Sequence, residues 1–166
     1  MKLSLCGALV GAATIIAGLS FAGTPLPHQK DGLWQSSAMM RGRPFTTQSC
    51  VSEESQAKMS AFSSQVRQRN CSASAIVRNP DGSWSSTSTC KFGPGMVRTM
   101  HTHITGDFNA RYAMTMFADG SSKPEMTMTM TWMGPCKPGM RGGDVIMADG
   151  MKMNVLDGAM SGMPRH

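Results

Sequence analysis

Methionine and histidine side chains recur at alternate positions in the second half of the chain, where they could bind a soft metal or line one side of a strand. Met126, Met128 and Met130 alternate with threonines, and one residue separates His101 from His103. Alternate residues of a strand lie about 6.6 Å apart on one face, so three such methionines extend over about 13 Å and do not reach a single ion. Because Thr is typical of strands and Met fills cores adaptably, we predict a buried thioether wall.

A neighbouring strand is predicted to complete this wall. If Met116 lies opposite Met126, then Met114 lies opposite Met128, and the two strands share one thioether face. We favour a three-residue turn at residues 105–107, which keeps Met100 and Ile104 of the preceding strand on that face as well, whereas a two-residue turn would not. The two histidines alternate out of phase with these residues. They are therefore expected to face away from the methionines, which disfavours a mixed metal site.

Copper binding is the alternative hypothesis for the same side chains. Thioethers select Cu(I), and two imidazoles one residue apart on a strand have a spacing that metal sites use. The candidate ligands are His101, His103, Met140, Met147, Met151 and Met153. The wall interpretation requires no cofactor, so copper belongs to the alternative alone.

Catalytic motifs are not found. The chain has no nucleophile elbow, zinc-protease helix, phosphate loop or dinucleotide fingerprint. Asp107 lies in a predicted turn and Glu125 follows Pro124 at the start of a strand, where carboxylates satisfy the backbone or face solvent. We therefore predict that the protein is not an enzyme.

The amino terminus is typical of a secretory signal peptide rather than of a membrane anchor. Lys2 precedes an apolar run from Leu3 to Leu19, and Ser20 and Ala22 are small residues at the positions that signal peptidase reads. The run is short for a bilayer span and lacks basic residues on its far side. We predict a leader over residues 1–22, no stable membrane span after its cleavage, and a periplasmic or secreted location.

Four cysteines remain after that cleavage, because Cys6 leaves with the leader. Thiols of a small exported protein are normally oxidised, so two disulfides are expected, each contributing about 3–4 kcal/mol. Of the three possible connectivities, we favour Cys50 with Cys71 and Cys90 with Cys136, since each pair would join neighbouring structural units. The even number also leaves no thiol for nucleophilic catalysis.

The net charge of the exported chain is +5, since loss of Lys2 leaves fifteen basic and ten acidic residues. Such a balance suits anionic membranes, acidic polymers or nucleic acid. The arginines are dispersed with few aromatic residues among them, and export removes intracellular nucleic acid as a partner. We interpret the charge as a solvated basic surface and predict no nucleic-acid binding.

Turn signals divide the chain into short strands around one helix. We predict a hairpin over residues 32–50 and an amphipathic helix from Ser52 to Arg67, with Ser52 as its cap and Glu53 and Glu54 in its first turn. Further strands are predicted at residues 73–78, 83–90, 96–104, 108–117 and 125–133. The predicted fold is α+β, a curved antiparallel β-meander sheet with one short amphipathic helix and two disulfides.

The chain after the leader is predicted to form one domain and a tail. Residues 23–136 suffice for a single disulfide-clipped α+β domain with one modest core. Residues 137–166 are rich in Met and Gly, contain Pro138 and Pro164, and show no sustained period, so we predict a flexible tail. One late strand within residues 147–156 is the alternative.

Several short motifs follow one another in an order that is more specific than any of them alone. They are Gly32-Leu33-Trp34 after the leader, Cys50 before a short helix, Cys71, Cys90 before a glycine-rich stretch, the Gly106-Asp107 turn, and Met126-Thr127-Met128-Thr129 followed by Gly134-Pro135-Cys136. This order, over about residues 31–136, resembles the exported bacterial family called domain of unknown function 3617 (DUF3617). The resemblance implies a periplasmic protein of no established activity, so it carries over no catalytic or binding residue. Gln35 stands where the family usually has an acidic residue.

We therefore expect an exported, non-enzymatic binding protein whose sheet forms a shallow apolar cup for a small hydrophobic ligand or an envelope partner. Periplasmic copper binding by the methionine-rich tail, with or without the two histidines, is the alternative.

Overall fold

Ten strands and one helix make up the part of the chain that the structure, a computed structural model, describes: residues 26–40, 42–72 and 76–162. The elements are β1 (Gly32–Met40), β2 (Arg43–Val51), α1 (Glu53–Asn70), β3 (Ile76–Arg78), β4 (Trp84–Gly93), β5 (Met96–Asp107), β6 (Arg111–Ala118), β7 (Pro124–Gly134), β8 (Asp144–Ile146), β9 (Lys152–Asn154) and β10 (Met160–Ser161). The predicted leader lies outside the described residues.

All ten strands belong to one antiparallel sheet. Their order is β10-β9-β8-β2-β1-β7-β6-β5-β4-β3, so β3 to β7 form a meander. β1 pairs with β2 in the opening hairpin and, on its other side, with β7. The predicted combination of an antiparallel sheet, one helix and two disulfides is confirmed.

The strand pairing predicted for the methionines is confirmed. Met114 pairs with Met128 and Met116 with Met126, which places their side chains on one face of the sheet. We call this side the thioether face. Alternation puts the intervening threonines on the opposite side, which we call the threonine face. Unlike the predicted wall, the thioethers of β6 and β7 are only half-buried.

The helix begins where Ser52 caps it. The Ser55 amide donates to Ser52 Oγ and the Ser52 amide donates to Ser55 Oγ, a reciprocal cap at the start of the helix. Its 18 residues give a length of about 27 Å. It leads from β2 to Cys71, which pairs with Cys90 on β4. Because β2 and β4 lie five strand spacings or about 24 Å apart, the helix crosses the sheet. The predicted amphipathic pattern is not seen at Met59, which is 47% exposed.

Well-buried side chains collect at one end of the sheet. This end, which we call the closed end, is where β1 begins, β7 ends and β5 turns into β6. The Phe108 ring stacks on Tyr112 with centroids 4.4 Å apart, and Trp34, fully buried, lies 5.8 Å from Tyr112. Ile104 and Trp84 form one buried cluster with Phe108. Burial of such side chains contributes roughly 1.5–3 kcal/mol each.

Two glycines allow the backbone to approach closely at the closed end. Gly32 has φ of 130°, and a Cβ there would lie 2.4 Å from the Gly134 carbonyl oxygen. Gly106 has φ of 112°, and a Cβ there would lie 2.5 Å from the Arg111 carbonyl oxygen. The predicted turn at residues 105–107 is displaced, because Asp107 still pairs with Arg111 and the loop is residues 108–110. Since the loop also has three residues, the predicted faces are retained.

The predicted disulfide pairing is wrong. The bonds join Cys50 to Cys136 and Cys71 to Cys90, with Cα atoms 5.4 and 3.9 Å apart. A bond between Cys50 and Cys71 is excluded because the helix separates them by about 27 Å. Cys136 reaches Cys50 because Leu33 pairs with Cys50 on one side and with Gly134 on the other.

The predicted flexible tail contains three strands of the sheet. β8 pairs with β2, β9 with β8, and β10 with β9. The buried carboxylate of Asp144 holds this segment, since it accepts hydrogen bonds from the Arg141 amide at 2.9 Å, Asn154 Nδ2 at 2.7 Å and Lys152 Nζ at 2.9 Å. Burial opposes ionisation of Asp144, but these bonds outweigh it and lower the pKa of the carboxyl to about 2.

Within residues 26–40, 42–72 and 76–162, no helix has the length and apolar character that crossing a membrane requires. Two disulfides are typical of proteins in oxidising compartments outside the cytosol.

Candidate apolar binding site

Two cavities, of about 340 and 320 Å³, open on the thioether face. Met114 and Met116 line the first cavity, and Met128 and Met130 line the second. The two cavities meet along β6 and β7, because Met114 and Met128 are cross-strand partners. We call this pair of adjoining cavities the thioether groove. Each cavity has the volume of a small-molecule pocket.

Elements from distant parts of the chain complete the groove. Leu26 and Phe92 border the first cavity, together with the Cys71–Cys90 disulfide. Helix residue Met59 borders the second cavity. The tail also contributes Val145 and Val155, which lie in a segment predicted from sequence to be flexible.

No Asp, Glu, Lys, Arg or His side chain is among the described residues that line either cavity. The titratable group in the groove is the phenol of Tyr112, and burial raises its pKa to about 12, so it is neutral at physiological pH. Both bordering cysteine pairs are oxidised. The groove therefore suits an uncharged, apolar molecule.

One residue that borders the second cavity has a buried polar group without a partner among the described residues. The side-chain nitrogen of Gln29 is buried without a hydrogen bond. The backbone of Gln29 is fixed, since its amide donates to Gln56 Oε1 at 2.7 Å and its carbonyl accepts from Gln56 Nε2 at 2.9 Å. A buried donor without an acceptor costs about 1–3 kcal/mol. The sequence pattern gave no signal for Gln29.

The two histidines lie on the threonine face, as predicted. His101 Nδ1 lies 3.0 Å from Thr87 Oγ1, and its Nε2 lies 3.0 Å from Asp119 Oδ1. A carboxylate, an imidazole and a hydroxyl in this order can activate the hydroxyl. Here, however, the His101 and Asp119 side chains are 45% and 72% exposed, and neither residue lines a cavity. We assign this chain of groups to the surface network of the sheet.

His103 belongs to a separate network in the turn before β4. Its Nε2 lies 3.1 Å from Ser83 Oγ, and the Ser83 hydroxyl donates to Asp81 Oδ1 at 2.6 Å. Hydrogen bonds from the Ser83 side chain and amide lower the pKa of Asp81. These contacts fix the turn at residues 79–82, which lies between the strands predicted at residues 73–78 and 83–90 and in which Gly82 has φ of 84°.

The structure separates the two histidines from the candidate copper ligands of the tail. His101 and His103 lie on β5, whereas Met153 lies on β9 and Met147 and Met151 flank the turn between β8 and β9. Met140 precedes β8. Five strand spacings, about 24 Å, separate β8 from β5. Among the described residues, no three His, Cys, Asp or Glu side chains form a metal-binding group. Copper binding by the tail methionines stays a prediction.

Comparison with known proteins identifies a family but no function. Neither the curated proteins nor the solved structures include a match to this chain. Residues 29–136, about two thirds of the chain, match the family described as protein of unknown function (DUF3617). The match covers β1 to β7, both disulfides and the thioethers of β6 and β7, and it ends before the tail strands. The chain therefore belongs to the DUF3617 family.

Proposed function

We propose that this protein is an exported, non-enzymatic binding protein that holds a small apolar ligand in the thioether groove. The observation that carries the proposal is the absence of charged side chains from the described lining of both cavities, in a chain with a net charge of +6. A hydrocarbon chain would replace water at the half-buried thioethers, which favours binding by roughly 25 cal/mol per Å² covered.

The chemistry of the lining suggests a ligand class. Methionine is flexible and polarisable, so a methionine floor adapts to chains of different shape. The buried amide nitrogen of Gln29 would donate to an acceptor oxygen. We therefore propose an alkyl or acyl molecule with an uncharged ester, amide or alcohol oxygen, held in a sheet that curves around it as a shallow cup in the periplasm.

Binding is tested with a dye that fluoresces in apolar surroundings, phenylnaphthylamine, titrated into the chain from Gly23 to His166. We expect saturable binding that a long-chain alcohol displaces. Native mass spectrometry of the protein from a bacterial host should also show bound lipid-like material. A linear titration together with a ligand-free spectrum would reject the proposal.

A matched pair of variants locates the site. Met128→Lys places an ammonium group in the groove, whereas Thr129→Lys places the same group on the threonine face. Burying an unpaired charge against apolar atoms is costly, so we expect Met128→Lys to weaken dye binding at least about tenfold. Thr129→Lys and the volume-conserving Met128→Leu should bind as the wild type does. Equal losses in both lysine variants, at unchanged circular dichroism, would place the dye elsewhere.

A further inference from the structure

Three hairpin turns lie together at the end of the sheet opposite the closed end. Met40, the last residue of β1, pairs with Met126 near the start of β7, and Met100 of β5 pairs with Ala118 at the end of β6. The turns β1–β2, β6–β7 and β4–β5 therefore share one end, which we call the hairpin end. Four strand spacings, about 19 Å along the sheet, separate the β1–β2 turn from the β4–β5 turn.

Apolar side chains are exposed at both outer hairpins. Phe92 is 60% exposed, Met96 52% and Val97 55% at the β4–β5 tip. Met39 and Phe45 are 44% and 39% exposed beside the β1–β2 turn. Every residue from 91 to 98 is exposed, so the β4–β5 tip projects from the sheet. Exposed apolar groups concentrated in this way mark an interaction site.

The exposed groups lie on both faces of each hairpin. Met96 and Val97 are consecutive, so they point to opposite faces of β5. Phe45 pairs with Ala38 and lies on the thioether face, whereas Met39 lies on the threonine face. A protein partner that docks on one face of the sheet would cover only half of these groups. A lipid layer that receives the tips surrounds them on both faces.

Basic residues accompany the apolar tips. Lys91 adjoins Phe92, Arg43 begins β2, and Lys123 lies in the turn between β6 and β7, all of them exposed. Arg98 adds a guanidinium that pairs with Glu125 at 3.3 Å. Asp119 is a further acidic residue in these turns, and His101 lies 3.0 Å from it. Apolar tips flanked by cations complement the apolar interior and the phosphates of an anionic bilayer.

We propose that the hairpin end docks on the surface of an anionic lipid bilayer, with the two outer tips entering the headgroup region. The inference does not depend on the ligand in the thioether groove. The docking surface and the groove are nevertheless in contact, because Phe92 also borders the first cavity. A docked tip would therefore place the edge of that cavity at the lipid surface.

Vesicle sedimentation tests the proposal with the chain from Gly23 to His166, which retains every described residue and lacks the apolar leader. The vesicles consist of phosphatidylcholine with or without phosphatidylglycerol. We expect sedimentation with the anionic vesicles, weakening as the salt concentration rises. Arg43→Gln with Lys91→Gln should lower the partition coefficient about 20–30-fold, while Arg111→Gln at the closed end leaves it unchanged.

Two valines provide the apolar comparison. Val97 at the tip and Val77 on β3 are 55% and 52% exposed. Phe92→Ser with Val97→Ser should lower vesicle binding at least about tenfold, and Val77→Ser should leave it unchanged, with all variants melting as the wild type does. Equal binding of these variants, or no sedimentation of the wild type with anionic vesicles, would overturn the proposal. A protein partner would be indicated if the wild type did not bind vesicles but formed a crosslink to a periplasmic protein that the Phe92→Ser, Val97→Ser variant lost. That outcome would also overturn the proposal.

Discussion

The two ends of the sheet bury their aromatic side chains to different extents. At the closed end, Trp34 is fully buried, its Nε1 donates to the Lys30 carbonyl at 2.7 Å, and Gly32 brings β1 against β7. At the hairpin end, Phe92 and Val97 are more than half exposed. The same strands pass through both ends, so strand formation does not require burial along their whole length. The closed end stabilises the fold, which leaves the hairpin end available for interaction.

The largest expected effects come from the disulfides, one of which lies at each end. The Cys50–Cys136 bond closes a sequence separation of 86 residues and the Cys71–Cys90 bond one of 19. In the chain-entropy model these loops correspond to about 4.6 and 3.2 kcal/mol. We expect the double Ser variant at residues 50 and 136 to lose more stability than that at residues 71 and 90, measured by urea denaturation. The reverse order would show that the hairpin end carries the stability.

The next effect contrasts one aromatic residue from each end. Trp34→Ala removes a fully buried side chain and should lower the free energy of unfolding by about 3–5 kcal/mol. Phe92→Ala removes a ring that is 60% exposed and should change it by about 0.5 kcal/mol or less. Thermal melts of the two variants test this comparison. Similar losses in both would mean that the β4–β5 tip is part of the core.

A smaller effect than the loss of Trp34 concerns Asp144, which lies in the tail next to the closed end. The pKa of its carboxyl is lowered from 3.8 to about 2, so folding favours the ionised form. The resulting stability, about 2 kcal/mol, is fully present above pH 4 and is lost as the pH falls through 2. Asp144→Asn should flatten this acid limb in urea titrations at each pH.

Asp149→Asn is the control for that measurement. It removes the same charge from an exposed turn of the same segment and should keep the wild-type acid limb. An unchanged acid limb in Asp144→Asn would mean that this carboxylate does not anchor the tail.

Local pattern was sufficient to predict the strands and faces of β1 to β7, but not the strands of the tail. The alternation around Met128 specified its face and its pairing with Met114, and Ser52 specified the start of the helix. Side-chain alternation is a property of each strand, so no distant residue is needed to read it. The turn before β6 was placed three residues too early, because Gly106 serves a close contact rather than the loop itself.

The wrong disulfide prediction and the wrong prediction of a flexible tail have one cause, the mistaken pairing of Cys50 with Cys71. The predicted helix is about 24 Å long over residues 52–67, which already separates Cys50 from Cys71 beyond the reach of a disulfide. The Cys50–Cys136 bond instead brings the chain after residue 136 to β2, where Gly143 donates to the Cys50 carbonyl at 2.8 Å and β8 pairs. Without that bond, the Met- and Gly-rich composition of the tail favoured flexibility, and a strand within residues 147–156 was only the alternative.

The sequence by itself determined the alternating faces, the single helix, the number of disulfides and the family, because each depends on residues close together in the chain or on their order along it. Only the tertiary structure decided which cysteines join, where the tail pairs and which side chains border the groove. These features unite residues as distant as Gln29 and Val155, and such contacts depend on how the strands are ordered in the sheet.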